Sequence, residues 1–166
     1  MNNLNLDVYN ELGNQIAQNR DASFDHFVVD LDWKEGFRSE ISVRDFAPFI
    51  VDEPEVIGAT NKGPNPVEYM LAGAVSCFTV GVVASASTKG IAIKSLKATI
   101  EGNVDMSIFY GTVLGGEHGI TQAFITLRID ADAPLEELEA CATHSLTYSP
   151  VLNSLKLPVK VIPVKG

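Results

Sequence analysis

Cys77 and Cys141 are the two thiols of this 166-residue chain, and they are the side chains best suited to nucleophilic or redox chemistry. They lie too far apart in sequence for a CxxC redox pair and are too few for a zinc cage without histidine help. The three histidines, His26, His118 and His144, show no paired ligand spacing, so no metal centre is expected. A reducing compartment keeps both cysteines as thiols unless chemistry uses them. Gly111, Gly115, Gly116 and Gly119 cluster between the thiols. No Lys-Ser/Thr pair follows a glycine there, so the segment reads as a turn region and not as a phosphate cradle. No cofactor is expected.

Of the two thiols, Cys77 is the candidate centre of chemistry, and two readings of it stand. It sits in an uncharged run from Tyr69 to Thr88, about three turns into a helix, beyond the reach of the N-terminal helix dipole. Any reactivity therefore needs a nearby cation. Without one, a thiol flanked by Ser76 and Phe78 in a buried helix is a small packing residue.

The helix that carries Cys77 is expected over residues 65–90. Asn65 can cap its start, Pro66 suits the first helical position, and Glu68 can bond back to the cap. Its length and lack of charge also fit a membrane span. Gly73, Ser76, Thr79, Gly81, Ser85 and Ser87 thin the hydrophobicity, however, and half-buried strands flank it, which favours a buried soluble helix. A helix apolar all round needs cover on every side, and an intertwined homodimer would supply it.

Around this helix the periodicities predict an α+β domain spanning residues 1–166. Leu4, Val8, Leu12 and Ile16 recur at helical spacing in an N-terminal extension over residues 1–20. Phe27, Val29, Leu31 and Trp33 alternate, and Ile41 with Val43 repeat the pattern after Glu35-Gly36, which predicts a β-hairpin. Phe49 to Val51 make a third strand, closed by Asp52-Glu53-Pro54. Leu96, Ala98, Ile100 and Val104 alternate with polar residues, as do Ala123, Ile125, Leu127 and Ile129, so two strands are expected to pair antiparallel. Pro134 opens a second helix with Glu136, Glu137 and Glu139 in its first turns and a stripe of Leu135, Leu138 and Ala142. Val159 and Val161 form a last strand, and Pro163 either places it at an edge or stops it. Strands and helices do not alternate as βαβ units.

Twelve basic against 21 acidic residues give a net charge of −9. That balance disfavours phosphate backbones and anionic membrane surfaces, so neither nucleic acid nor membrane is an expected partner. The Asn-rich start, Met1 to Arg20, lacks the basic and apolar segments of a secretory signal, and a cytoplasmic protein is expected.

Several motifs in fixed order carry a family resemblance. Gly63-Pro64-Asn65-Pro66-Val67-Glu68-Tyr69-Met70-Leu71-Ala72-Gly73-Ala74-Val75-Ser76-Cys77, preceded by Arg38-Ser39-Glu40 and Val51-Asp52-Glu53-Pro54, resembles the OsmC-like family. Ser149-Pro150-Val151 followed by Leu157-Pro158-Val159 resembles its C-terminal signature, so the likeness runs over roughly residues 24 to 164. The resemblance implies an OsmC-like fold of antiparallel sheets, a long central buried helix and a second C-terminal helix, assembled as an intertwined homodimer. It also implies that Cys77 attacks an organic hydroperoxide. An Arg near the first hairpin stabilises the thiolate in the hydroperoxide resistance branch, and Arg38 is the nearest match, with Arg44 as fallback.

Two departures shape that expectation. A Glu directly after Asn-Pro holds the Arg in that branch, whereas here Val67 takes its place and Glu68 follows, about 100° further round the helix. The branch's resolving thiol aligns with Ser149, which cannot form a disulfide. Cys141, eight residues earlier, would lie about 12 Å along and about 80° around a continuous helix from that position. The resemblance therefore implies a one-cysteine peroxidase with Cys77, Arg38 and Glu68 as site residues and an external thiol as reductant. Phe78 and Met70 would line its apolar pocket. The alternative is a non-catalytic family member that binds a small apolar ligand or senses oxidation at the dimer interface.

Overall fold

In the computed structural model, residues 1–116, 118–155 and 159–165 are described. The chain forms α1 (Leu6–Gln18), β1 (Asp30–Glu35), β2 (Arg38–Ser42), β3 (Phe49–Val51), α2 (Pro66–Thr88) and β4 (Ile93–Val104). Then come α3 (Met106–Phe109), β5 (Ile120–Ala131), α4 (Leu135–Tyr148), α5 (Pro150–Leu155) and β6 (Val159–Lys165). These elements give the expected α+β class, divided between two compact units. A hairpin unit comprises Asn10–Met70, and a core unit comprises Met1–Tyr9 with Leu71–Gly166.

The core unit is organised by β5. Ala123, Ile125, Leu127 and Ile129 are buried while Gln122, Phe124 and Arg128 face outward, the period-2 alternation expected of a strand with one covered face. Leu96 pairs with Ile129 and Ile100 with Ile125, so β4 runs antiparallel to β5 as expected. On the other side β6 joins β5 in parallel and forms the edge, with Pro163 opposite Leu127 where a missing N–H is tolerated. Ala74, Phe78, Val82 and Ala86 of α2 enter the same hydrophobic cluster, at the four-residue spacing of one helix face. Leu138, Cys141 and Ala142 of α4 complete it, whereas Leu135 stays exposed although it was expected in the buried stripe. Leu138 and Cys141, three apart, set the buried face, and Leu135 lies in the first turn, at the end of the packed interface.

Both ends of α2 are fixed by local chemistry. Asn65 N–H donates to Glu68 Oε2 and Glu68 N–H donates to Asn65 Oδ1, each at 2.8 Å, closing the expected reciprocal cap. At the other end Gly90 adopts φ +76, Gly90 N–H donates to Ser87 O, and Ile91 N–H donates to Ala86 O, a glycine-terminated Schellman arrangement. By length and composition α2 could cross a membrane, but its Ala74 to Ala86 stripe is closed in the protein core. Only 39% of its most apolar window is buried within the chain, and Val80 is 68% exposed, because one sheet covers one side of a helix.

In the hairpin unit, β2 pairs antiparallel with both β1 and β3, aligning Leu31, Ile41 and Phe49. Gly36, at φ +52, makes the turn. The strand begins at Asp30 and not at Phe27. Its partner β2 ends at Ser42, and Arg44 then turns away at φ +50, leaving nothing to pair with Val29 or Phe27. Every residue of β1 is exposed in the single chain. Beyond β3, Asp52 is buried and gathers the loop: its carboxylate accepts from Thr60 Oγ1 at 2.5 Å, Glu53 N–H at 2.8 Å and Lys62 N–H at 3.0 Å.

Candidate functional site

Cys77, Val80, Gly81 and Ala84 follow one another at i, i+3, i+4 and i+7 along α2 and form one wall of a pocket of about 290 Å³. His144, Ser145 and Tyr148 of α4, with Ser149 and Pro150 at the α4–α5 junction, form the opposite wall, and Tyr9 closes one side. The floor is held by a direct tie between helices: Ser145 Oγ donates to Phe78 O at 2.6 Å. Gly81 permits this approach, since a Cβ there would collide with the Ser145 hydroxyl. Phe78 was expected to line the pocket, yet it is fully buried in the core. One residue from Cys77 is about 100° around the helix, so the two cannot share a face. Met70 belongs to the hairpin unit.

Cys77 is partly exposed at the pocket, and Ser149 Oγ donates a hydrogen bond to its Sγ at 3.1 Å. Seventy-two residues separate the pair. The chain ending α4 places Ser149: its N–H donates to Ser145 O at 2.9 Å, and its Oγ accepts from Leu152 N–H at 3.3 Å, so the residue closes one helix and caps the next. Cys141 is fully buried among the core residues, and both cysteines are free thiols. His144 stacks obliquely on Tyr148, ring centroids 4.7 Å apart. Among the described lining residues, His144 is the one able to carry positive charge.

The other expected site residues lie in the hairpin unit, each with a local partner. Arg38 Nη2 pairs with Glu35 Oε1 at 2.7 Å across the hairpin end. Arg44 holds its guanidinium 4.6 Å above the Phe46 ring. Glu68 spends its carboxylate on the α2 cap. No cluster of His, Cys, Asp or Glu able to hold a metal occurs among the described residues.

Of the pocket residues, the sequence motifs single out Cys77 as the candidate thiol and Ser149 only as the residue standing where a resolving thiol would be, and they give no sign of Tyr9, His144 or Tyr148 beside it. Helical spacing from Cys77 marks Val80, Gly81 and Ala84 as its face-mates, a signal present in the sequence. No local pattern reports the opposite wall. A second pocket of about 350 Å³ adjoins the first through Tyr9, Val80 and Ala84, and its remaining lining includes Asn2, Asn3 and Leu4. Asn2 fastens this N-terminal segment, donating from Nδ2 to Ser87 Oγ and Ile91 O while Oδ1 accepts from Ile93 N–H.

The fold is shared with solved proteins of low sequence identity. An OsmC-like protein from Mycoplasma pneumoniae matches with TM-score 0.72 at 18% identity, covering 85% of this chain and 97% of that one. An organic hydroperoxide resistance protein OsmC from Legionella pneumophila matches with TM-score 0.64 at 16% identity, over 86% and 98% of the two chains. An organic hydroperoxide resistance protein from Elizabethkingia anophelis gives TM-score 0.65 at 15% identity, over 86% and 96%. No curated protein sequence matches the chain. The OsmC-like protein family model matches residues 59–163, the stretch from before α2 into β6 that contains the whole Cys77–Ser149 pair. Leu157 and Pro158 of the C-terminal signature lie outside the described residues, but Cys77, Ser149 and the fold around them are in place, and this chain belongs to the OsmC-like family.

Proposed function

We propose that this OsmC-like protein reduces organic hydroperoxides through Cys77, using an external thiol as reductant, as a cytoplasmic homodimer serving oxidative stress defence. One observation carries the reading: a partly exposed thiol opens onto a pocket and meets a buried hydroxyl donor at 3.1 Å. The organic hydroperoxide resistance proteins that share its fold support the choice of substrate class. In this reaction the Cys77 thiolate attacks the distal peroxide oxygen, the O–O bond breaks, and the leaving alkoxide takes a proton to become an alcohol. Cys77 is left as a sulfenic acid. A thiol then condenses with it to a mixed disulfide and water, and a second thiol restores Cys77 while leaving as the disulfide.

The pocket suits an apolar substituent on the peroxide, with Val80, Ala84, Pro150 and the Tyr9 ring in its lining. We assign stabilisation of the thiolate to Arg38, with Arg44 as the alternative. The Arg38–Glu35 pair is partly exposed, and such pairs contribute about 0–1 kcal/mol, so the guanidinium can exchange partners at little cost. Dimerisation is supported by the apolar surface left open in one chain, Val80 on α2 together with Leu31 and Trp33 on β1.

The test is consumption of an organic hydroperoxide in the presence of a monothiol by the wild type and by Cys77→Ser. Turnover in the wild type and only the uncatalysed rate in the variant are expected. Equal slow rates in both would remove Cys77 as nucleophile and leave the second reading, a pocket that holds a small apolar ligand or a thiol that senses oxidation.

A further inference from the structure

We infer that Ser149 is the positioning residue of Cys77: its hydroxyl donates the hydrogen bond that holds the sulfur at the pocket and stabilises the thiolate. The inference deepens the peroxidase reading and rests on it for the identity of the reaction, though the contact itself does not.

Every polar atom on residue 149 has a partner. Its N–H is taken by Ser145 O at 2.9 Å. Its carbonyl accepts from Asn153 N–H at 3.1 Å and from Asn153 Nδ2 at 2.7 Å. Its Oγ accepts from Leu152 N–H at 3.3 Å. The hydroxyl proton remains, and the acceptor in front of it is Cys77 Sγ. Ser149 is buried, so water does not compete freely for that proton, and Pro150 restricts the backbone on its far side. The donor is therefore locked in direction before any substrate arrives.

The direction of the bond gives it a chemical consequence. With Cys77 as a thiol, either partner can donate. Once the thiol is ionised only Ser149 can, and a hydrogen bond to an anion is stronger than one between neutral groups. Ser149 is thus the donor that stays on the sulfur when Cys77 attacks as a thiolate. It acts from inside the core unit, independently of any arginine. A hydroxyl cannot be oxidised to a disulfide, so the sulfenic acid stays open to an external thiol.

The experiment is alkylation of Cys77 in the full chain by iodoacetamide at neutral pH, followed by peptide mass spectrometry. Ser149→Ala is expected to slow alkylation by about threefold, because the roughly tenfold scale of a lost hydrogen bond to a charged group is partly offset by the greater nucleophilicity of the thiolate that loses it. Ser149→Thr, which keeps the hydroxyl, is expected to restore most of the rate. A role for Ser149 only as a cap of α5 has the opposite sign, because fraying beside the pocket exposes the thiol and speeds alkylation. A rate in Ser149→Ala equal to or above wild type would overturn the inference. Ser149→Cys provides a second test of the geometry. One equivalent of organic hydroperoxide should yield a sulfenic acid that the introduced thiol captures, releasing water and forming an intramolecular disulfide with Cys77. If that variant is oxidised at Cys77 without forming the disulfide, the proposed approach of residue 149 is wrong. Alkylation needs no peroxide turnover, so the two readings fail separately. Normal peroxide consumption with unchanged alkylation removes only the role of Ser149, and absent consumption with slowed alkylation removes only the peroxidase.

Discussion

The two units of this protein treat apolar residues in opposite ways. In the core unit, β5 alternates between a buried face and an outward face, and Phe78, Ile125 and Leu127 are fully enclosed. In the hairpin unit, β1 has the same apolar alternation at Leu31 and Trp33, yet every residue of that strand is exposed. The difference is one of cover. Two helices pack on the sheet of the core unit, whereas the hairpin unit buries only Ile41, in its sheet, and Asp52, in the loop beyond it. The thiol and its hydroxyl partner are built where packing fixes side chains, and both candidate arginines sit where it does not. The thiol half of the proposed chemistry is thus preformed in the core unit, and the arginine half rests on the proposed homodimer.

Core substitutions should break this contrast most severely. Phe78→Ala is expected to lower unfolding free energy by about 3–5 kcal/mol, while Leu31→Ala in dilute protein should change it by no more than about 0.5 kcal/mol. Urea denaturation measures both. If Leu31→Ala costs as much as Phe78→Ala even at concentrations where only monomer exists, the contrast fails. In the proposed homodimer Leu31→Ala should weaken association at higher concentration, read as a loss of dimer in sedimentation. Gly81→Ala comes next, at about 1–3 kcal/mol, because the added methyl must push the Ser145 hydroxyl off Phe78 O. The same variant should disturb Cys77, which a change in its alkylation rate would report.

The α2 cap gives a smaller effect. Glu68→Ala is expected to cost about 1 kcal/mol, and Glu68→Gln, which still accepts from Asn65 N–H, a few tenths. A large loss of peroxide consumption in Glu68→Gln at unchanged stability would show that Glu68 does more than cap. The last effect is acid-dependent. The hydrogen bond from Thr60, followed by that from Lys62 N–H, holds the Asp52 carboxyl below its ordinary range against the opposing effect of burial. A lowered folded-state value means that the stabilisation is complete above the unfolded carboxylate value of about 3.9 and disappears as pH falls through the folded one. Urea midpoints followed downward from about pH 5 should therefore decline less steeply in Asp52→Asn than in wild type.

Much of the fold could be read from local pattern, and the failures have a common origin. Helix α2 was expected over 65–90 and runs from Pro66 to Thr88, because the Asn65–Glu68 cap and Gly90 mark its ends within a few residues of sequence. The pairing of β4 with β5 followed from matched alternation. Strand β1 started late because alternation specifies a face, whereas a strand also needs a partner, and β2 ends at Ser42. At the site, Cys77 was legible from the motif around it. Its contact with Ser149 spans 72 residues, and the Asn2 anchor spans 85 or more, distances over which no periodicity carries information. Helix α1 shows the same limit from the other side: its apolar spacing predicted a helix correctly, yet none of its residues is buried in the single chain.

The most direct test of a preformed thiol site is to treat the purified wild type with one equivalent of an organic hydroperoxide and locate the oxidation by peptide mass spectrometry. A single oxygen on Cys77 is expected, trapped by a sulfenic-acid reagent and removed by a monothiol, with Cys141 unmodified in the core. Oxidation confined to methionines, or shared equally between Cys141 and Cys77, would contradict it.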